Sequence, residues 1–131
     1  MTDSAKMLTL ELEREFNAPA AAVFDAIKAG VIFIKCGANK DTMKIDFKVG
    51  GAYYVSFGSD GEVNGKFTQI NPVTTIAFTW DDTLVTLTIE ARGDKSLLRL
   101  VHSLVPSQSL LEDFRGGWEH GLGGLQSEMN S

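Results

Sequence analysis

Residues 109–129 read SLLEDFRGGWEHGLGGLQSEM. Leu111, Phe114, Trp118, Leu122, Leu125 and Met129 recur there at intervals of 3, 4, 4, 3 and 4, so a helix carries all of them on one side. Ser109 and Glu112 have the spacing of a capping box, in which each side chain satisfies a backbone N–H left open at a helix start. This is the cleanest helical stripe in the chain, and such a stripe needs another layer to cover it. The same segment holds Gly116, Gly117, Gly121, Gly123 and Gly124. Each interior helical glycine costs about 1 kcal/mol relative to alanine. Three features can offset that cost: close approach of a neighbouring element, room for a cavity between helix and sheet, or a bend or fray near the helix end.

The covering layer lies upstream. Leu8, Leu10 and Leu12 alternate with Thr9, Glu11 and Glu13, which predicts a strand with one wet face ending near Phe16. Pro19 suits the first position of a helix. PAAAVFDAIKAG (19–30) puts Val23, Phe24 and Ile27 on one face, and Gly30 stops it. The apolar run Val31 to Cys36 reads as a second short helix. Beyond Asn39 the period becomes two. Strands are expected around Met43–Phe47, Tyr53–Phe57, Gly65–Ile70, Thr75–Trp80, Val85–Ile89 and Leu98–His102. Gly50-Gly51, Ser59-Asp60-Gly61, Asn71-Pro72, Asp81-Asp82 and Gly93-Asp94 punctuate them. Hairpin-length connections make the sheet mostly antiparallel. The expectation is an α+β helix-grip fold: a curved antiparallel sheet of about six to seven strands wrapped around one long carboxy-terminal helix, with two short helices after the first strand. Residues 1–131 form a single domain on this reading, with 1–6 as a frayed tail.

Composition narrows the function. The chain has 131 residues, 44% of them hydrophobic and 22% charged, as expected of a folded protein. Twelve Lys and Arg against 17 Asp and Glu give a net charge of −5. That balance speaks against a nucleic-acid partner and against an anionic membrane surface. Cys36 is the single cysteine, which suits a reducing compartment. The first residues lack the apolar core of a secretory leader, so a cytoplasmic location is expected. Two histidines and one cysteine without close ligand spacing make no metal site. There is no phosphate loop, dinucleotide fingerprint or nucleophile elbow, and no cofactor is expected.

Several pieces together resemble one family. FNAPAAAVFDAI (16–27) is similar to the strand, Ala-Pro and helix opening of START-like helix-grip proteins, the superfamily that includes polyketide cyclases. KVGGAYYV (48–55), DGEVNGKFTQINPVTTIAFTW (60–80), LRLVHS (98–103) and GGWEHGL (116–122) resemble homologues of the activator of the heat shock protein 90 ATPase. The likeness runs from about Leu8 to Leu125. It implies the same architecture, with a hydrophobic cavity between sheet and helix. One departure stands out: members commonly carry a tryptophan just after the first helix, where this chain reads AGVIFIKCG (29–37), with Phe33 and Cys36.

The candidate ligand-binding residues are Phe33, Tyr53, Phe78, Trp80, His102, Trp118 and Leu122. Such sites are mostly apolar with a few placed polar groups. Trp80 and Trp118 either line a pocket or fill the core. The Tyr53 hydroxyl can orient a ligand. His102 lies among leucines, either as a ligand contact and proton donor or as a core histidine satisfied by a neighbour. Cys36 has no paired histidine and reads as an inert thiol. His120 lies off the stripe and faces solvent, and Arg99 points away from the His102 face. No catalytic residue is assigned. Three functions follow: binding of a hydrophobic or aromatic small molecule, a co-chaperone that stimulates a heat shock protein 90 type ATPase, or a cyclase- or dehydratase-like enzyme. The glycine-rich helix or an exposed sheet edge also offers a route to a homodimer.

Overall fold

The computed structural model describes residues 7–130. The expected frayed tail, residues 1–6, lies outside the described residues. Among the described residues seven strands form one sheet: β1 (Leu8–Phe16), β2 (Lys44–Ile45), β3 (Ala52–Ser56), β4 (Glu62–Asn71), β5 (Thr75–Trp80), β6 (Thr83–Arg92) and β7 (Lys95–Val105). Their order is β1-β7-β6-β5-β4-β3-β2, and every pairing is antiparallel. Two helices, α1 (Ala20–Lys28) and α2 (Val31–Lys35), follow β1, and α3 (Gln108–Asn130) closes the chain. The architecture is the expected α+β helix grip.

Period two produces the sheet. In β7, Leu98, Leu100 and His102 are fully buried while Arg99 is exposed. Arg99 donates to Glu13 at 2.6 Å on the opposite face, across the β1–β7 pair. In β7 the alternation slips near the end of the strand. Between Leu8 and Leu10 the register with β7 shifts, and Leu104 takes φ 63. That bulge turns Leu104 out to solvent and Val105 into the core.

Local chemistry corrects several expected boundaries. The strand expected over Met43–Phe47 shrinks to Lys44–Ile45. The chain folds back there: Asp46 N–H donates to the Ala52 carbonyl and Gly50 N–H to the Phe67 carbonyl. Phe47 instead packs edge-on against Phe24 and Phe67. Phe57 leaves β3, and Gly58–Asp60 is a short 3-10 turn. Pro19 is the N-cap of α1 with extended ψ 155, one position before the expected site. Gly30 ends α1 and begins α2 at φ 83. Helix α3 is capped by Ser107 and not by Ser109: the Ser107 Oγ accepts from Leu110 N–H at 3.2 Å. Glu112 binds Gln108 and Arg115 along the helix instead of reaching back. The cap therefore follows the residue just outside the first turn, two positions before the apparent box.

Helix α3 buries Leu111, Trp118, Leu122 and Leu125 against the sheet and α2. The opposite half of the concave face is filled by aromatic rings. Phe33 stacks on Tyr53 at 5.3 Å and meets Phe78 edge-on at 5.6 Å. Tyr53 and Phe78 in turn contact Phe67.

Candidate functional site

Two of the five helical glycines explain how α2 reaches α3. A Cβ at Gly121 would overlap the Cys36 Sγ, and one at Gly124 would press the Lys35 side chain at 3.2 Å. Gly116, Gly117 and Gly123 meet nothing within 4 Å. Close approach therefore accounts for Gly121 and Gly124 alone. Cys36 Sγ donates to the Gly117 carbonyl at 3.5 Å, and Lys35 pairs with Glu128 at 2.9 Å. These contacts pin α2 along the second half of α3.

Towards its amino-terminal half, α3 parts from its neighbours. A cleft of about 490 Å³ opens there. Cys36 and Gly37 after α2 form one wall, and Phe57 and Asp60 at the 3-10 turn form another. Trp80, at the end of β5, forms the floor with Asp113, Phe114, Gly117 and Trp118 of α3. A second cleft of about 400 Å³ lies across the Trp80 and Phe114 rings, with Asp81, Asp82, Leu104 and Leu110 on its walls.

Behind the first cleft a chain of hydrogen bonds ties helix to sheet. The Trp118 indole N–H donates to His102 Nδ1 at 2.9 Å. An indole nitrogen only donates, so Nδ1 is the bare nitrogen and Nε2 holds the proton. Nε2–H then donates to Thr83 Oγ1 at 2.6 Å, and that hydroxyl donates to the Trp80 carbonyl at 2.6 Å. Phe114 stacks on the imidazole at 4.2 Å. His102 is fully buried, and burial lowers its pKa from 6.5 to about 4. It is a neutral imidazole with both nitrogens engaged.

The seven candidate residues divide accordingly. Trp80 and Trp118 line the cleft. His102 stands one bond behind Trp118. Phe33, Tyr53 and Phe78 belong to the aromatic packing, and Leu122 lies in the core beneath α3. The Tyr53 hydroxyl donates to the Thr79 carbonyl at 2.6 Å, and burial and the Asp81 charge raise its pKa. Burial pushes the Cys36 thiol up to about 12. His120 is exposed. Sequence reasoning missed Phe57, Asp60, Asp113 and Phe114 as lining. Phe114 was visible on the apolar stripe, but the two aspartates gave no signal apart from turn and helix-start chemistry. Among the described residues no three His, Cys, Asp or Glu side chains converge to hold a metal. Among them, too, no helix is long and apolar enough to cross a membrane.

The sheet, the gripped helix and the cleft between them define a START-like helix-grip protein. Residues 17–130 match the family described as Activator of Hsp90 ATPase homolog 1-like protein, and the chain belongs to it. The solved structures it resembles include the Aha1 dimer from Colwellia psychrerythraea, at TM-score 0.81 and 15% identity over 94% of this chain and 96% of that one. CalU16 from Micromonospora echinospora superposes at TM-score 0.73 with 23% identity, over 89% of this chain and 73% of that one. CV1439 from Chromobacterium violaceum does so at 0.75 with 23% identity, over 94% and 97%. Identities this low speak for a shared fold alone. No curated protein matches the chain in sequence.

Proposed function

We propose that the protein binds a hydrophobic or aromatic small molecule in the cleft beside Trp80 and Trp118, in the cytoplasm. The observation that carries this reading is the cleft itself: about 490 Å³ with Phe57, Trp80, Phe114 and Trp118 on its walls. Its size falls in the range of small-molecule sites, and its aromatic faces supply most of the contact energy such sites use. Phe33, Tyr53, Phe78, His102 and Leu122 support the site from behind by holding those walls in place. The test is tryptophan fluorescence with a panel of apolar and aromatic probes. Saturable quenching or blue shift that Trp80→Leu weakens supports the reading; no response to any probe refutes it.

A second reading is co-chaperone action on a heat shock protein 90 type ATPase. Family membership and the likeness to Aha1 support it. ATP turnover measured with and without the protein tests it, and an unchanged rate ends it. The Aha1 neighbour is a dimer, and a homodimer here is tested by sedimentation. An enzyme of the cyclase or dehydratase kind is the weakest reading. The three polar side chains considered for it are already committed: His102 to Trp118 and Thr83, Tyr53 to Thr79, and Arg99 to Glu13.

A further inference from the structure

The charged side chains that line the cleft are all acidic. Its lining includes Asp60 and Asp113 and no lysine, arginine or histidine. The adjoining cleft across Trp80 adds Asp81 and Asp82, again with no basic side chain. Neither Asp60 nor Asp113 makes an ion pair among the described residues. The basic residues on the neighbouring helices are already engaged: Lys35 with Glu128 at 2.9 Å, and Arg115 with Glu112 at 3.2 Å. The same lining includes four aromatic residues, Phe57, Trp80, Phe114 and Trp118. Aromatic faces are electron-rich and attract cations. An anion placed there meets two carboxylates and the exposed parts of these rings, with no countercharge in the lining.

We propose that the cleft selects an organic cation, an apolar or aromatic body bearing an ammonium group. This rests on the reading of the cleft as a ligand site and names the ligand's class. The apolar body packs against Trp80 and Trp118. The ammonium lies towards the exposed rim between Asp60 and Asp113, where it keeps part of its hydration. The net charge of −5 adds a favourable long-range field for such a ligand.

Three probes of one shape separate the possibilities: phenylbutylamine, phenylbutanol and phenylbutyrate. Each is titrated into the wild-type protein and into the double variant Asp60→Asn/Asp113→Asn. The readouts are tryptophan fluorescence and the NMR signal of the Trp118 indole N–H. Both aspartates are exposed, so the double variant keeps the fold. The amine is expected to bind about tenfold more tightly than the carboxylate, with the alcohol between them, a difference of about 1.4 kcal/mol. In the double variant the amine loses most of its advantage over the alcohol, and the alcohol is unchanged. Raising salt from about 20 mM to about 300 mM weakens the amine alone. Equal affinities, or an amine preference undiminished by the double substitution, overturn the cation proposal while leaving an apolar site. Silence of the Trp118 signal to all three probes overturns the site as well.

Discussion

Acid acts on the bond that joins the helix to the sheet. His102 Nδ1 accepts the Trp118 indole proton, so protonating this ring breaks that bond and places a charge in the core. The folded pKa is pushed down to about 4 from 6.5. Below pH 6.5 the unfolded chain therefore takes up a proton that the folded chain refuses. Stability is complete above the unfolded value, falls as pH drops through it, and stops falling below the folded value. The whole effect is worth about 3 kcal/mol, and between about pH 7.5 and pH 4.5 it is about 2.5 kcal/mol. That is a large share of the roughly 5–15 kcal/mol typical of a domain. The assay is urea unfolding at a series of pH values for wild type and His102→Gln. Glutamine keeps a donor and an acceptor but does not titrate, so carboxylate effects common to both proteins cancel in the difference. The gap between the two stability curves is expected to change by about 2.5 kcal/mol over that range. Parallel curves refute the argument. Should the variant not fold, the ring nitrogen signals of wild-type His102 decide it: they stay those of the neutral Nε2–H form at pH 5.5, and protonation there sinks the reasoning.

The glycines of α3 separate by sign. Gly116→Ala and Gly123→Ala are expected to raise stability by up to about 1 kcal/mol each, because an added Cβ meets nothing within 4 Å; Gly121→Ala is expected to lower it by about 1–3 kcal/mol, because that Cβ overlaps Cys36 Sγ. Urea midpoints check all three. Cys36 alkylation by iodoacetamide at about pH 8 is expected to run at least about a hundredfold slower than that of a free thiol, since burial holds its pKa near 12; mass spectrometry follows it, and a rate like that of glutathione contradicts the burial. Tyr53→Phe removes the donor to the Thr79 carbonyl and is expected to cost about 1 kcal/mol in thermal or urea unfolding.

Where one face of an element is buried, its side-chain period is visible in the chain, and these elements were legible. The stripe from Leu111 to Met129, the strand around Leu98–His102, and the helix of Val23, Phe24 and Ile27 stand where periodicity puts them; Thr75–Trp80, where Ile76, Ala77 and Phe78 are buried in succession, showed itself by its β-branched and aromatic residues instead. Features set by a neighbour in space were not legible. The Ser107 cap carries no mark that separates it from Ser109 until the direction of entry from Pro106 is known. The short β2 depends on a backbone loop closed by Phe67, more than 15 residues away in sequence. His102 showed itself as a histidine among leucines, which left two roles open. Only the positions of Trp118 and Thr83 identify it as a satisfied strut.

The place of the cleft follows from the glycines as much as from the aromatics. Gly121 and Gly124 let α2 lie directly on the second half of α3, where Leu122 and Leu125 close the core completely. Cys36 and Gly37 end α2 opposite Gly117, so beyond that point α3 loses its neighbour. The first half of the helix then rests on Trp80 through Trp118 and Phe114, at ring separations of 5.2 and 6.2 Å. Phe33, buried in α2, is stacked on Tyr53, and this fixes how far α2 reaches along α3. The stack that completes the core on one side thus keeps the helix end open on the other. A substitution such as Phe33→Leu, which loosens that stack without emptying it, is expected to reshape the cleft before it unfolds the protein. Probe affinity at Trp118 should then change at a lower cost in stability than the same truncation at Phe78, and equal ratios of the two effects at both positions would refute the coupling.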